Sequence, residues 1–383
     1  MKRRDFLKLL SLYPLAMQVP FALAGNSLRG MNRTLILIEL KGGNDGLNTV
    51  IPFADPAYYQ LRRNIAIPRD QVMQLNESVA LHPSLRSLLP LWKNKQMAIV
   101  QGVGYDKPNL SHFRSIDIWN SGSGSEVFST EGWLSKIFKG VERPSDLVAD
   151  GISIGRDYGP MTGAGFNAVT LLNVKQFIRQ AKSVHTLQQA GNNPALQHLR
   201  QVQQKIKSSA SRLEAGLVDD AALQNFPKTA IGRQLKLVSQ ILMSNIYVPV
   251  IRVTLGSFDT HTNQPVRHAR LLKEFADAIA IFSSLMQEKD QWQRLMMLSY
   301  SEFGRRVAEN GSRGTDHGTA SSQFIMGGNI PPGLFGKQPS LTDLDNGNLK
   351  YVLDYRGLYN TAANWMGLYE NPFSTYKLVM PVA

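Results

Sequence analysis

The chain alternates between short apolar runs and longer amphipathic stretches. Six apolar runs predict strands, at 34–40, 97–104, 151–155, 247–256, 294–300 and 322–328. The first run, TLILIEL, is nearly continuous in Ile and Leu, which is typical of a parallel strand buried on both faces. Helical spacing predicts helices at 195–217, 231–244 and 264–288, and in part of 84–94. The alternation predicts an α/β fold with a mostly parallel sheet and helices on both faces.

The N-terminal segment indicates export. Arg3 and Arg4, followed by Phe-Leu-Lys, resemble the twin-arginine export pattern. The uncharged apolar stretch at 9–24 is shorter than the roughly 20 residues of a membrane helix, and it ends in the small-x-small cleavage signature Ala-Leu-Ala. We therefore expect a signal peptide at 1–24, recognition by the twin-arginine export machinery, a periplasmic location and no stable membrane span after cleavage. The alternative is an N-terminal anchor that is retained.

The rest of the chain, 25–383, is predicted to form a single domain. A helical insertion at about 175–245 is expected to lie between the two halves of the sheet. No repeat and no low-complexity linker divides this part of the chain.

Charge and cysteine content limit the partners and the catalytic or metal-binding groups that the chain can use. The net charge is +13, but basic residues are dispersed and no aromatic-interleaved basic stretch is present, so nucleic acid is not an expected partner. The charge favours at most anionic polymers or phosphorylated substrates. The absence of cysteine excludes thiol nucleophiles and thiolate metal sites. Any metal must then be held by His, Asp and Glu, and the chain has only seven histidines.

Reactive side chains recur just after predicted strands. The candidates, in chain order, are Asp45, Ser111 with His112, Asp259 with His261, and Glu302; Asp316 and His317 lie in a Gly-rich loop before the next strand. The carboxyl ends of the strands in an open α/β sheet border its ligand crevice, so we expect these clusters to converge. Carboxylates and imidazoles suit zinc or manganese, and one or two divalent ions are expected as the cofactor.

Several of these residues also have structural interpretations. Ser111 precedes a predicted helix, where a hydroxyl is either a nucleophile in the positive field of the helix or an ordinary N-cap. Asp45 could occupy a turn, and Asp259 could cap the long helix at 264–288. His268 is expected on the surface of that helix. The remaining histidines are expected to be surface or packing residues: His82, His185 and His198.

The combination of motifs resembles one family. The stretches GGNDGLNT, SHFRSIDIWNSG, DTHTNQ, SEFGRR, ENGSRGTDHG and DYRGLY together resemble the domain-of-unknown-function family numbered fifteen hundred and one. That family is similar to the alkaline phosphatase, sulfatase and phosphoglycerate mutase superfamily. The resemblance implies a doubly wound sheet with metal ions at its carboxyl edge.

The resemblance also implies roles for single residues. It implies metal ligation by Asp45, Asp259, His261, Glu302 and His317, and it implies Ser111 as the nucleophile. The chain departs from the superfamily pattern where Glu302 stands for Asp and Phe303 for a ligand His, and the spacing in DTH is shorter than the usual Asp-x-x-x-His. The segment SHFR lacks the proline needed for maturation to formylglycine.

The predicted function is an exported, metal-dependent hydrolase of phosphate or similar anionic esters. Arg114 or Arg305 would offset negative charge that develops during the reaction, and His112 lies beside the nucleophile. The alternative is a non-catalytic exported protein that retains the fold for binding or as a scaffold. A third interpretation is a carbohydrate-modifying enzyme at the same edge of the sheet.

Overall fold

The computed structural model describes residues 27–28, 32–144, 147, 149–183, 220–244 and 246–382, with single positions between 193 and 214. The predicted signal peptide, His185 and His198 lie outside the described residues, and the helix predicted at 195–217 lies mostly outside them. Of the insertion predicted at 175–245, the structure describes the helices at its two ends.

The strands, numbered in chain order, are β1 (Thr34–Leu40), β2 (Val50–Ile51), β3 (Met73–Gln74), β4 (Ala80–Leu81), β5 (Met97–Gly104), β6 (Gly151–Ser153), β7 (Ala168–Thr170), β8 (Val250–Leu255), β9 (Leu295–Tyr300), β10 (Ser321–Met326), β11 (Gly333–Gly336), β12 (Leu344–Asp345), β13 (Asn348–Leu349) and β14 (Leu353–Asp354). The helices are α1 (Pro56–Leu61), α2 (Leu89–Lys93), α3 (His112–Ser121), α4 (Trp133–Ile137), α5 (Val174–Ser183), α6 (Ala230–Met243), α7 (Gln264–Glu288) and α8 (Arg356–Trp365). A 3₁₀ helix at Pro83–Leu88 precedes α2.

One large sheet organises the described residues. Its strand order is β11-β5-β10-β9-β1-β8-β6-β7, and β14 pairs with β5 beside this path. β1 is parallel to both of its neighbours, β8 and β9. Only β10 among the described strands of this sheet runs antiparallel, and it does so against both β5 and β9. The prediction of a mostly parallel α/β sheet is confirmed.

Hydrophobic cores lie on both faces of the sheet. Ile36, Ile38 and Leu40 of β1 face a core that includes buried side chains of α6 and α7. Leu35 and Leu37, which alternate with them, face a second core with α3, α4 and α8. Helices therefore cover both faces, as the continuous apolar sequence of β1 predicted.

The topology brings distant segments to one edge of the sheet. β1, β5, β8 and β9 end at this edge, and antiparallel β10 begins there. The loops that follow the first four strands and the loop that precedes β10 are therefore neighbours, although they are far apart in sequence. Every polar cluster singled out in the sequence lies in one of these loops.

No helix within the described residues combines the length and the apolar character that crossing a membrane requires.

Candidate metal centre

Three histidines surround one carboxylate at the carboxyl edge of the sheet. Nε2 of His261 lies 2.9 Å from Oδ1 of Asp259, and Nε2 of His317 lies 3.3 Å from the same oxygen. Nε2 of His112 lies 3.4 Å from Oδ2 of Asp259. We call these four residues the histidine–aspartate group. Ligand atoms of His112, Asp259 and His317 all lie within 4.8 Å of one another, a spacing that suits a single metal ion.

The other ring nitrogen of each histidine contacts an oxygen behind the group. Nδ1 of His112 lies 2.8 Å from Oε1 of Glu302, and Nδ1 of His261 lies 3.3 Å from Oδ1 of Asp316. Nδ1 of His317 donates to the carbonyl of Leu110 at 2.7 Å. A carbonyl only accepts, so the neutral His317 ring carries its proton on Nδ1 and its lone pair on Nε2. Metal-binding histidines are oriented in this way.

One nitrogen of the group lacks a hydrogen-bond partner. Nε2 of His112 is shielded from solvent and forms no hydrogen bond. Buried polar atoms are nearly always satisfied, and a divalent cation would satisfy this one together with the neighbouring Asp259 carboxylate. Imidazole nitrogen and carboxylate oxygen are suitable ligands for zinc and for manganese. The residues present therefore fit a divalent ion.

Electrostatics favour a bound cation at Asp259 and His317, whereas a proton competes with it at His112. Partial burial acts to raise the pKa of Asp259, but the hydrogen bond and charge of Arg305 outweigh it and lower the pKa to about 2. Burial also lowers the pKa of His317, which favours its neutral form. The hydrogen bond to Glu302 raises the pKa of His112.

Glu302 lies behind His112. Its side chain is buried, and it accepts from the backbone N–H of Gly42 at 2.8 and 3.0 Å as well as contacting His112. The structure thus places Glu302 next to the histidine–aspartate group as a support for an imidazole.

Arg305 holds three loops of the site together. The fully buried guanidinium donates to the carbonyls of Gly42, Gly43, Phe258 and Thr315 and, at 2.7 Å, to Oδ1 of Asp259. These acceptors follow β1 and β8 or precede β10. Arg305 is therefore committed to positioning Asp259, and its donors are directed at the protein.

Asp45 lies outside the histidine–aspartate group. It is completely buried, and its Oδ2 accepts from Arg62 at 2.6 Å and from Gln264. Its Oδ1 accepts from the backbone N–H groups of Leu47 and Asn48 at 3.1 and 3.3 Å. Oδ1 therefore stabilises the glycine-rich loop after β1, as expected of a turn residue, and Oδ2 ties that loop to Arg62 and Gln264.

Ser111 occupies the N-cap position of α3. Its backbone carbonyl accepts from Ser115, but its hydroxyl makes no capping hydrogen bond and the residue is exposed. Its neighbours on both sides belong to the site, because Leu110 accepts from His317 and His112 is part of the group. Ser111 is thus flanked in sequence by two residues of the candidate centre, and its hydroxyl is not used as a cap.

Arg114 contacts a neighbouring loop. Its guanidinium donates to the carbonyls of Ser125 and Val127 at 2.7 and 2.9 Å and lies 3.8 Å from the centre of the Phe128 ring.

The structure adds contacts that sequence reasoning did not identify. The ring of Phe303 packs against His112 and His317, with centroids 4.9 and 4.6 Å away. The backbone groups of Gly42 and Leu110 also support the site, and no side-chain pattern marks them. The prediction that His268 lies on the surface of α7 is wrong: it is buried, and its Nε2 lies 2.9 Å from Oδ1 of Asn44.

Comparison with known proteins identifies a family. The model of a family described as "Protein of unknown function (DUF1501)" matches residues 32–376, which is most of the chain. No curated protein matches the sequence.

Solved structures with a similar chain path include three from bacteria. An alkaline phosphatase superfamily protein from Vibrio parahaemolyticus has a TM-score of 0.44 and 9% identity, over 100% of this chain and 80% of its own. The PsFucS1 sulfatase from Pseudoalteromonas sp. has a TM-score of 0.40 and 13% identity, over 98% of this chain and 74% of its own. The zinc complex of the C-terminal periplasmic domain of EcEptC from Escherichia coli has a TM-score of 0.42 and 11% identity, over 92% of this chain and 87% of its own. These values are too low to transfer an activity.

Proposed function

The chain belongs to the family described as protein of unknown function (DUF1501), and we propose that it is an exported, metal-dependent hydrolase of phosphate or similar anionic esters. The observation that carries the proposal is the convergence of three imidazoles on Asp259, with Nε2 of His112 shielded from solvent and without a hydrogen bond. A site of this composition beside an exposed hydroxyl at a helix N-terminus suits ester hydrolysis.

The proposed ligands are His112, Asp259 and His317, with His261 beside them. Zinc or manganese suits these donors. When bound, the ion would polarise an ester oxygen and lower the pKa of a hydroxyl or water. Glu302 and the Leu110 carbonyl orient two of the rings, and Arg305 orients Asp259. Asp45 is not part of the proposed set, since both of its oxygens are used by other partners.

Ser111 is the proposed nucleophile. It lies at the start of the ten-residue helix α3, where unpaired backbone N–H groups and the helix dipole favour an anionic oxygen. Its hydroxyl is exposed and not used as a cap, so it can contact a substrate. We assign the offset of developing negative charge to this helix N-terminus, because Arg305 and Arg114 are directed at carbonyls of the protein.

The experiment that tests the proposal measures metal content and ester cleavage together. Protein purified from the periplasm is analysed for metals and assayed on nitrophenyl phosphate, phosphodiester, phosphonate and sulfate esters. We expect about one divalent ion per chain, cleavage of at least one ester, and loss of both in His317→Ala. Asp343→Asn, which changes an exposed carboxylate paired with Lys350, is the matched control and should behave as wild type.

Two results would overturn the proposal. If wild-type protein contained no metal after gentle purification, the proposed metal centre would be wrong. Protein that binds metal but cleaves no ester in the set would support the non-catalytic alternative.

A further inference from the structure

A large open cleft lies along α3, the helix that begins at His112. Its volume is about 980 Å³. One wall is the exposed side of α3, with Arg114, Asp117 and Asn120 at helical spacing. The other walls are the segments 128–132 and 157–162. None of the described residues that line this α3 cleft belongs to the histidine–aspartate group, so the cleft is a separate site.

The walls of the α3 cleft are held in place before any ligand binds. The Arg114 guanidinium, anchored on two backbone carbonyls, lies against Phe128 and fixes a ring that is 81% exposed. Asp157 forms an ion pair of 2.8 Å with Arg252, which is nearly fully buried. The N–H of Gly132 donates to the carbonyl of Thr162 at 2.6 Å and joins the second wall to the third. A preorganised cleft loses little entropy on binding.

The lining offers polar groups beside an exposed aromatic surface. The Asp117 carboxylate is exposed and has no hydrogen bond or ion pair with any described residue. The half-buried Asn120 also lines the cleft. Hydroxyls are contributed by Thr130 and Tyr158, and the Tyr158 side chain is 44% exposed. Such a set can both donate to and accept from a ligand rich in hydroxyl groups.

The charge of the α3 cleft decides the class of ligand. Asp117, Glu131 and Asp157 line it; Asp157 is paired with Arg252 and Arg114 adds one positive charge, so the lining keeps a net negative charge. Carboxylates at this density repel polyanions. A basic peptide is disfavoured for the opposite reason, because the chain stays positively charged as a whole even when the four basic residues and one acidic residue of the predicted signal peptide are subtracted from its net charge of +13.

We propose that the α3 cleft binds a neutral oligosaccharide. Sugar hydroxyls donate to the carboxylates and exchange hydrogen bonds with the amide and hydroxyl groups, while a sugar ring lies on the exposed Phe128 or Tyr158 surface. Binding at this site needs neither a metal ion nor ester cleavage, so this proposal can be tested independently of the proposed hydrolase activity.

The test is a direct binding measurement. The metal-free exported protein is applied to an array of neutral and sulfated glycans, and the affinity for the strongest neutral oligosaccharide is then measured by calorimetry. We expect binding of at least one neutral oligosaccharide and an affinity at least about tenfold lower for its sulfated form. Phe128→Ala and Asp117→Ala should each lower the affinity about tenfold or more. Phe113→Ala is the matched control, since Phe113 is 85% exposed on α3 but does not line the cleft.

The proposal is overturned if no neutral glycan binds, if sulfated forms bind more tightly, or if both cleft variants bind like the Phe113 control. Binding of a lysine-rich peptide in place of any glycan would also overturn it and would indicate a peptide site. Circular dichroism of each variant verifies that the fold is retained.

Discussion

At the scale of single residues, the candidate centre depends on groups that orient the proposed ligands. The buried Glu302 contacts His112 and the N–H of Gly42, and its charge stabilises a proton on Nδ1 of His112. Supporting carboxylates of this kind affect metal affinity although they do not touch the ion. Glu302 is therefore a positioning residue, whereas His112, Asp259 and His317 are the proposed ligands.

The first prediction concerns Glu302. Glu302→Gln retains the size of the side chain but removes the negative charge and one acceptor. We expect zinc affinity, measured by competition with a chelator, to fall about 10–100-fold. Glu309→Gln is the control, because Glu309 is an exposed carboxylate that binds Asn64. Unchanged affinity would remove the positioning role, and loss of a whole bound ion would instead make Glu302 a ligand.

The second prediction separates nucleophile from cap at Ser111. Ser111→Ala should change the free energy of unfolding by less than about 0.5 kcal/mol, because no capping hydrogen bond is lost. Turnover of the ester should fall by several orders of magnitude.

A matched control for Ser111 is present in α6. Thr229 is its N-cap, and its hydroxyl oxygen accepts from the N–H of Gly232 at 3.2 Å. Thr229→Ala should cost about 0.5–2 kcal/mol of stability and leave turnover intact. Wild-type turnover in Ser111→Ala would leave His112 or a bound water as the better candidate.

At the scale of elements, the loops after β1 and β8 fit against each other with no spare space. Gly42 has a φ of +117°, and a Cβ at this position would lie 2.5 Å from the backbone nitrogen of Asp259. Only glycine is tolerated in this conformation and at this distance. The close approach places Asp259 next to the loop that supports Glu302.

The third prediction follows from that contact. Gly42→Ala should destabilise the fold by about 1–3 kcal/mol through backbone strain and should weaken metal binding by displacing Asp259. Gly256→Ala is the control in the same region, because nothing lies within 4 Å of its added Cβ. Chemical denaturation and zinc titration give the two readouts. Equal stability and equal zinc affinity of the two variants would contradict the prediction.

At the scale of the whole molecule, the sheet brings together residues from β5, β8, β9 and β10. A metal ion held by His112, Asp259 and His317 would link the loop after β5, the loop after β8 and the loop before β10. A ligand that binds only the folded chain stabilises all of these elements at once.

The fourth prediction is a stability difference on metal removal. Saturation at a hundred times the dissociation constant contributes about 2.7 kcal/mol, so chelation should lower Tm by on the order of 5 °C. His317→Ala should have a Tm that no longer responds to the chelator. Differential scanning calorimetry decides the matter, and an identical response of wild type and variant would exclude binding through His317.

The fifth prediction concerns export of the whole chain. Replacing Arg3 and Arg4 with Lys should retain precursor in the cytoplasm, since the arginine pair is the expected recognition feature. Lys2→Arg, which leaves the pair intact, is the control. Fractionation and immunoblotting provide the measurement, and normal periplasmic delivery of the double variant would refute the assignment.

The sequence by itself determined the main strands, because a strand buried on both faces needs a continuous apolar run. The runs at 34–40 and 97–104 coincide with β1 and β5, and the amphipathic stretch at 264–288 coincides with α7. The sequence also placed Asp259 and His317 at one edge of the sheet, because polar residues that follow or precede such strands lie there, and their role as ligands stays a prediction.

Only the tertiary structure decided how the polar residues divide their roles. Asp45 forms an ion pair with Arg62, Glu302 contacts His112, and Arg305 forms an ion pair with Asp259. Nothing in the local sequence specifies these partners. His268 shows the same limit, since a helical pattern does not reveal that Asn44 lies opposite it. The physical reason is that charge and hydrogen bonding act through space: these partners are 17 to 224 positions apart in sequence and become neighbours only once the chain has folded.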